Sequence, residues 1–186
     1  MELKVAEYSD YQRIAQLQAN RWQEDYQGIL DATYLKQEVL TDRTLIWQTR
    51  LLNPSYNQHV LLLEEQGTLC GFVCVFGNHD VDNGSMIDAL HIAPDYRGRG
   101  LGRQLLLQAT EWLDKYFADG GVYVEVIETN HIDTVFYEQM QGQSRLRRLW
   151  RAPDDQSLPA RVWSWASPRA LRNGILQSQP VLSCTA

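Results

Sequence analysis

The hydrophobic and polar positions along the chain predict strands alternating with helices. Short apolar runs with β-branched residues are typical of strands, whereas apolar residues every three or four positions are typical of amphipathic helices. The patterns predict strands near 3–7, 60–64, 68–76, 86–92, 122–127, 146–151 and 160–165. They predict helices over 11–26, 31–52, 101–117, 131–141 and 168–175. Residues 77–84 are polar and are predicted to form a loop.

The central stretch, residues 86–117, combines a strand, a glycine-rich turn and a helix. Pro94 ends the strand because it has no N–H for a ladder. Three glycines and three arginines follow: Gly98, Gly100, Gly102, Arg97, Arg99 and Arg103. The first turn of a helix has N–H groups without partners and a dipole that favours anions, and glycine lets a ligand approach the backbone. The turn is therefore predicted to hold an anion, and a pyrophosphate fits best.

Other glycine-rich turns fit this stretch less well. A dinucleotide-binding fingerprint has its third glycine three residues after the second, and an acidic residue about 20 positions later. Here the third glycine, Gly102, comes two residues after Gly100, and Asp119 lies beyond the helix. The Gly-Lys-Ser/Thr of a nucleotide-binding P-loop is absent. The remaining alternative is a turn whose arginines are merely solvated.

Two motifs resemble the GCN5-related N-acetyltransferases. Arg97-Gly98-Arg99-Gly100-Leu101-Gly102 is similar to that family's (Arg/Gln)-x-x-Gly-x-(Gly/Ala) signature. Asn130, the run Phe136-Tyr137-Glu138 and Gly142 match the pattern Asn-x-x-Ala-x-x-Phe-Tyr-x-x-x-Gly. Asp133 departs from it, because alanine is usual at this position.

The resemblance implies an α/β (α+β) fold. Its mixed central sheet has six to seven strands, is splayed between strands 4 and 5, and is flanked by about four helices. The resemblance covers residues 1–166, which are expected to form the acetyltransferase domain. Residues 167–186 are expected to be an extension with a short helix and a tail.

The resemblance also implies an activity: acetyl transfer from acetyl-CoA to a primary amine of a small molecule or protein, by direct attack and without a metal. The turn would hold the pyrophosphate through Arg97, Gly98, Arg99, Gly100, Leu101, Gly102 and Arg103. The strand residues Leu90, His91 and Ile92 would pair with the pantetheine arm, and the N–H of Ile92 would polarise the thioester oxygen. Asn130 would bind the pantetheine or cap its own helix.

Three residues are candidates for catalysis, and of these Tyr137 matches the catalytic tyrosine of the family; its alternative is an aromatic residue in the wall of the cofactor site. Tyr137 is expected to protonate the leaving thiolate, because a phenol has a pKa near that of a thiol. Asp88 or Glu125, on adjacent strands, is the candidate base. His91 titrates in a suitable range. In a regular strand, however, Asp88 would lie on the Ile92 face and His91 on the opposite one.

Aromatic residues of the first two helices are candidates for the wall of the acceptor site, since these helices form that wall in the family. They are Trp22, Tyr26, Tyr34 and Trp47. The alternative for each is simple packing of a helix on the sheet.

Composition limits the partners. A formal net charge of −6 argues against nucleic acid and is compatible with a cationic amine. The basic run Arg145, Arg147, Arg148 and Arg151 is expected to be a solvated edge strand, and a homodimer through the last strands is left open.

The cysteines and acidic residues fit no metal pattern. Cys70, Cys74 and Cys184 are odd in number, and His79, Asp80 and Asp82 are expected in a solvated turn. The N-terminus lacks the form of a signal peptide, and no apolar run reaches about 18 residues, so we expect a cytoplasmic protein away from membranes. Two other functions remain open: an acyl-CoA-binding sensor with little or no turnover, and a dinucleotide-binding protein.

Overall fold

The computed structural model describes residues 1–178, apart from the side chain of Arg145. The strands are β1 (Glu2–Val5), β2 (Gln58–Glu65), β3 (Thr68–Asp80), β4 (Gly84–Ile92), β5 (Val122–Ile127), β6 (Gln143–Arg151) and β7 (Ser157–Trp165). The helices are α1 (Tyr11–Asp25), α2 (Val39–Leu52), α3 (Leu101–Tyr116), α4 (His131–Gln139) and α5 (Pro168–Gln177). A π-helical turn, Tyr34–Glu38, precedes α2. The predicted tail and Cys184 lie outside the described residues.

The seven strands form one mixed sheet in the order β1-β2-β3-β4-β5-β7-β6. Neighbours are antiparallel except β4 and β5, which are parallel and pair only at Ser85 with Val122 and at Met86 with Tyr123. Beyond Met86 the two strands separate. The predicted splay between strands 4 and 5 is therefore confirmed.

The helices cover the sheet on two sides and bury two main cores. Leu105, Leu106 and Leu113 of α3 are fully buried with the inner face of α5. Ile14 of α1 and Trp47 of α2 are buried on the other side. Burial of each such side chain contributes about 1.5–3 kcal/mol, so the 3.6-residue periodicity read from the sequence is the main reason that these helices dock.

The predicted polar loop over 77–84 is too long, because β3 continues to Asp80 and pairs there with Gly84, which leaves only residues 81–83 as the turn. Its polar side chains have partners. His79 Nδ1 lies 2.8 Å from the Tyr123 hydroxyl, and Asp80 Oδ1 accepts from two backbone N–H groups, those of Asp82 and Asn83. Polar residues could thus extend the hairpin without burying an unpaired group. Within residues 1–178, no group of three or more acidic, histidine or cysteine residues is placed to hold a metal ion.

A bulge in β4 overturns the expectation for a regular strand. Cys74 of β3 pairs with Ala89 and Val75 pairs with Ile87, so Asp88 is left between the two registers. Ile87 then packs on the α3 side and Ala89 on the α1–α2 side. Asp88 reaches Arg50 of α2, on the same side of the sheet as His91. The bulge therefore brings together two side chains that strict alternation would separate.

The expected edge strand near 146–151 is confirmed. β6 is an edge strand, and its arginines face carboxylates: Arg147 pairs with Glu128, and Arg151 pairs with Asp155. Cys70 and Cys74 are buried free thiols. None of the helices in the described range is both long and apolar enough to cross a bilayer.

Candidate active site

The glycine-rich turn leaves backbone N–H groups unused at the start of α3. Gly98 and Gly100 have φ of 74° and 75°, in the left-handed region that favours glycine. Within residues 1–178, no acceptor bonds the N–H groups of residues 98–103; the first bonded one beyond the turn is Gln104, which donates to Gly100 O at 3.1 Å. A Cβ added at Gly98 or Gly100 would meet no atom within 4 Å. The amides therefore face open space that a ligand can fill.

These amides border a cavity of about 360 Å³ between β4, α3 and α4, which we call the turn cavity. Nearly all the residues predicted to bind a cofactor line it: Leu90, His91, Ile92, Arg97, Gly98, Gly100, Leu101, Gly102, Arg103, Asn130 and Tyr137. The exception is Arg99, whose Nη2 donates to Asp95 O at 2.9 Å while the guanidinium lies over the Tyr96 ring. Positive charge at the mouth of the cavity comes from Arg97 and Arg103.

Three arginines line the turn cavity: Arg21 is paired with Glu24 and Asp25, whereas Arg97 and Arg103 are held by weaker contacts. Arg97 pairs with Glu24 at 3.0 Å, and both side chains are substantially exposed. Arg103 donates to Ser178 Oγ at 3.0 Å and to Gln139 Oε1 at 2.7 Å. Exposed ion pairs are worth little, so Arg97 and Arg103 can turn toward an anion at small cost.

The edge of β4 adds backbone donors to the turn cavity. Ala93 N donates to Cys70 O of β3 at 2.8 Å. In an antiparallel ladder the N–H groups alternate in direction, so the N–H of Ile92 points away from β3, toward the gap left by β5. The splay therefore exposes a strand edge against which an extended, amide-bearing chain can pair.

A second cavity of about 310 Å³ lies on the α1–α2 side of the gap, and we call it the aromatic cavity. Trp22 and Tyr26 of α1 meet edge to face at 5.3 Å between ring centroids, and Trp22 meets Trp150 of β6 at 5.9 Å. The Arg43 guanidinium lies 4.2 Å above the Trp22 ring. The aromatic wall suits the aliphatic part of a ligand, and the cation above the wall is the Arg43 guanidinium.

The two cavities meet at five residues that line both: Tyr26, Leu90, His91, Asp133 and Tyr137. Tyr137 is only 5% exposed, and its hydroxyl makes no hydrogen bond to a residue in the described range. Burial, and then the negative charge of Asp133, raise the pKa of Tyr137 well above its ordinary value. The phenol therefore stays protonated at neutral pH, at the point where ligands from both sides would touch.

Asp88 and Glu125, the predicted bases, line the aromatic cavity but are held in ion pairs. Arg50 donates to both Asp88 oxygens, at 2.6 and 3.3 Å, and Arg148 donates to Glu125 Oε1 at 2.9 Å. His91 lies nearby, but burial, followed by the charges of Arg21 and Arg43, lowers its pKa to about 3. His91 is therefore neutral at working pH.

The predicted acceptor wall is only partly assembled. Trp22 and Tyr26 line the aromatic cavity, and Tyr26 borders the turn cavity as well. The structure brings Tyr34 and Trp47 to neither cavity: the Tyr34 hydroxyl donates to Asp42, and the Trp47 N–H donates to Gln18.

Among the lining residues that sequence reasoning missed are Arg43, Asp133 and Trp150. Arg43 and Trp150 reach the cavity from α2 and β6, and no spacing in the chain signals this. Asp133 had a signal, because it replaces the alanine usual in the motif it belongs to.

Comparison with known proteins points to one family. A family model described as acetyltransferase (GNAT) family matches residues 14–142. Among curated proteins, none matches the chain.

Several solved structures share the fold at low sequence identity. A GCN5-related N-acetyltransferase from Rhodopseudomonas palustris is 17% identical, with a TM-score of 0.68 over 89% of this chain and 94% of that one. PaiA N-acetyltransferase from Thermoplasma acidophilum, solved with coenzyme A, is 16% identical, with a TM-score of 0.63 over 86% of this chain and 98% of that one. A mutant of the spermidine N-acetyltransferase SpeG from Vibrio cholerae is 16% identical, with a TM-score of 0.63 over 91% and 95%.

At such identity these likenesses show the fold alone. The family match rests on the sequence itself and spans more than half of the 186 residues, including both motifs. The chain belongs to the acetyltransferase (GNAT) family.

Proposed function

We propose that this protein is an acetyl-CoA-dependent N-acetyltransferase that acts on a primary amine by direct attack in a ternary complex. The observation that carries the proposal is the meeting of the turn cavity and the aromatic cavity at Tyr137, through the gap between β4 and β5. Two ligands that enter from opposite sides would meet there with little water between them.

The donor set of the turn cavity fits coenzyme A. The unpaired amides of residues 98–103 would hold the diphosphate, with Arg97 and Arg103 beside it. The free edge of β4 would hold the pantetheine amides, and the Ile92 N–H would bind the thioester oxygen. When bound, acetyl-CoA supplies an activated acetyl group as a thioester.

Tyr137 is the proposed acid. Its hydroxyl is protonated and has no protein partner in the described range, so it is available to give a proton to the departing sulfur. The phenol then recovers a proton from the nitrogen that has been acylated.

The aromatic cavity would hold the acceptor. Arg50 and Arg148 neutralise Asp88 and Glu125, so Asp133 is the carboxylate of this cavity that would attract a cationic amine, in line with the net charge of −6. The structurally similar SpeG is a spermidine N-acetyltransferase, and spermidine is an amine. For this chain the proposed class is wider: a primary amine on a small molecule or on a protein.

The test is thiol release from acetyl-CoA against a panel of polyamines, amino acids, arylamines and lysine peptides. Amine-dependent release above the hydrolysis background is expected for at least one class. Tight CoA binding without turnover on any amine would favour an acyl-CoA sensor. A thermal shift with NAD but none with CoA would instead favour a dinucleotide-binding protein.

A further inference from the structure

Asp133 occupies a position in the cleft that neither Asp88 nor Glu125 shares. It lies in the first turn of α4 and lines both cavities, whereas Asp88 and Glu125 line only the aromatic cavity. Tyr137 lies four residues further along α4, so the two side chains share one face of the helix about one turn apart. A carboxylate therefore stands beside the proposed acid, where the two ligands would meet.

Of the three carboxylates, Asp133 is the one without an ion pair among the described residues, since Arg50 pairs with Asp88 and Arg148 pairs with Glu125. Asn130 Nδ2 donates to its Oδ2 at 2.8 Å, and the Asp133 N–H donates back to Asn130 Oδ1 at 3.1 Å. In residues 1–178, no lysine, arginine or histidine nitrogen lies within ion-pair distance of it. One carboxylate oxygen is therefore left for a ligand, whereas Arg50 occupies both oxygens of Asp88.

Arg21 of α1 is the cation that acts on Asp133: its charge, like the Asn130 hydrogen bond, lowers the pKa of that carboxyl. On α1, Arg21 is engaged by Asp25 and Glu24, and the Tyr26 phenol is neutral because burial raises its pKa. On β4, His91 is neutral. Partial loss of hydration in the cleft, and then the charge of Asp25, raise the pKa of Asp133 to about 6, although the residue as a whole is exposed. A proton acceptor with a pKa near the working pH suits general base catalysis.

We propose that Asp133 is the general base that removes the proton from the ammonium group of the acceptor. The proposal rests on the proposed function and deepens it. Asp133 takes one proton from the ammonium and later releases it to water. The freed nitrogen forms a bond to the acetyl carbon as the carbon–sulfur bond breaks. Tyr137 gives its proton to sulfur and takes the second proton from nitrogen, so charge and atoms balance.

Proton transfer to Asp133 also prepares Tyr137. The negative charge of Asp133 opposes formation of the Tyr137 phenolate. Once Asp133 carries the substrate's proton, that charge is gone and the phenol gives up its own proton more easily. The two residues therefore act in a fixed order, base first and acid second.

The test is the pH dependence of kcat/KM for an alkylamine acceptor, from pH 5 to 9, in wild type, Asp133→Asn and Asp133→Ala. With an amine pKa of about 10, the wild type should rise up to about pH 6 and then stay level, because Asp133 deprotonates the abundant ammonium form. Both variants should depend on free amine and rise about tenfold per pH unit throughout. The loss at pH 7 should be about 100-fold and should shrink toward pH 9.

The control is Asp119→Asn, which removes an exposed carboxylate after α3, outside both cavities. It should keep the wild-type profile. A direct readout that needs no turnover is the carboxyl carbon NMR titration of the protein alone. A resonance titrating near pH 6 should be present in wild type and missing in Asp133→Asn.

The outcomes separate this inference from the function itself. If wild type turns over no amine, the proposed function fails. If wild type is active but both variants keep its plateau within about threefold at every pH, the base assignment is overturned and the acetyltransferase assignment stands. A fall in CoA affinity matching the fall in rate would also overturn it, since Asp133 would then serve cofactor binding.

Discussion

The turn cavity and the aromatic cavity lie side by side along β4, but they are built differently. The turn cavity takes its essential groups from consecutive residues, the amides of 98–103, at the start of one helix. The aromatic cavity draws Trp22 from α1, Arg43 from α2, Asp88 from β4, Glu125 from β5 and Trp150 from β6. One is a local backbone structure, and the other exists only after the whole sheet has formed.

This difference assigns separate tasks to the two cavities. Backbone amides bind a diphosphate whatever the neighbouring side chains are, so the turn can serve one constant ligand. Side chains from five elements can change one at a time, so the aromatic cavity is where the acceptor is chosen. Substitutions at residues that line only one cavity should therefore leave binding in the other nearly unchanged.

The largest effect is expected from Gly102→Glu in the turn cavity. A Cβ at Gly102 would make ordinary contact with Phe136, at 3.5 Å, so the fold should persist, but the new carboxylate would face the amides that hold the diphosphate. CoA affinity by calorimetry should fall at least 100-fold, about 2.7 kcal/mol. Gly102→Ala is the matched control and should stay within about threefold. Unchanged CoA binding by Gly102→Glu would place the diphosphate elsewhere.

The next effect is expected where the cavities meet. Tyr137→Phe removes only a hydroxyl that has no partner in the described range, so folding and CoA binding should hold. Without the proton donor, kcat should fall by about 10- to 100-fold, or 1.4–2.7 kcal/mol of barrier. Tyr116→Phe, at the exposed end of α3, is the control. Turnover within about threefold of wild type would remove Tyr137 from the mechanism.

A smaller effect is expected from Trp150→Leu in the aromatic cavity. The variant keeps an apolar side chain but loses the ring contacts with Trp22 and Tyr26, at 5.9 and 6.2 Å. The KM of the amine should rise about fivefold, since such ring contacts are worth about 1 kcal/mol. CoA affinity should not change. Leu149→Ala, the exposed neighbour on β6, is the control, and an equal rise there would argue against Trp150 as part of the wall.

The smallest effect is expected on the stability of the fold, from Asp133 at the point where the two cavities meet. The pKa of Asp133 is raised in the folded state, from 3.8 to about 6, so the group contributes stability below about pH 4 that is lost as pH rises through 6. The free energy of unfolding of Asp133→Asn, taken relative to that of wild type, should therefore be higher at pH 8 than at pH 3.5. Solvent screening keeps the gain below about 1 kcal/mol, or about 2 °C in Tm. A difference between the two proteins that is the same at both pH values would contradict the raised pKa.

The features that could be predicted from the sequence are the local ones, as in the turn cavity, and those that depend on distant residues could not be predicted. The helix periodicity, the glycine-rich turn and the Asn130–Gly142 motif are local patterns, and the structure places them as expected. The bulge at Asp88 was not predictable, because it depends on the register between β3 and β4. The same holds for Trp150, which comes close to Trp22 through the sheet order, and for Arg43, which does so through the packing of α1 against α2. The strand through His79 and Asp80 was missed because its polar side chains are satisfied by distant partners, Tyr123 and Arg148.

The most direct test of the central claim is a crystal structure with coenzyme A bound. The account predicts diphosphate oxygens within hydrogen-bond distance of the N–H groups of residues 98–103, and the sulfur in the gap between β4 and β5, facing the Tyr137 hydroxyl. A diphosphate bound away from those amides, or a sulfur outside the junction of the two cavities, would contradict it.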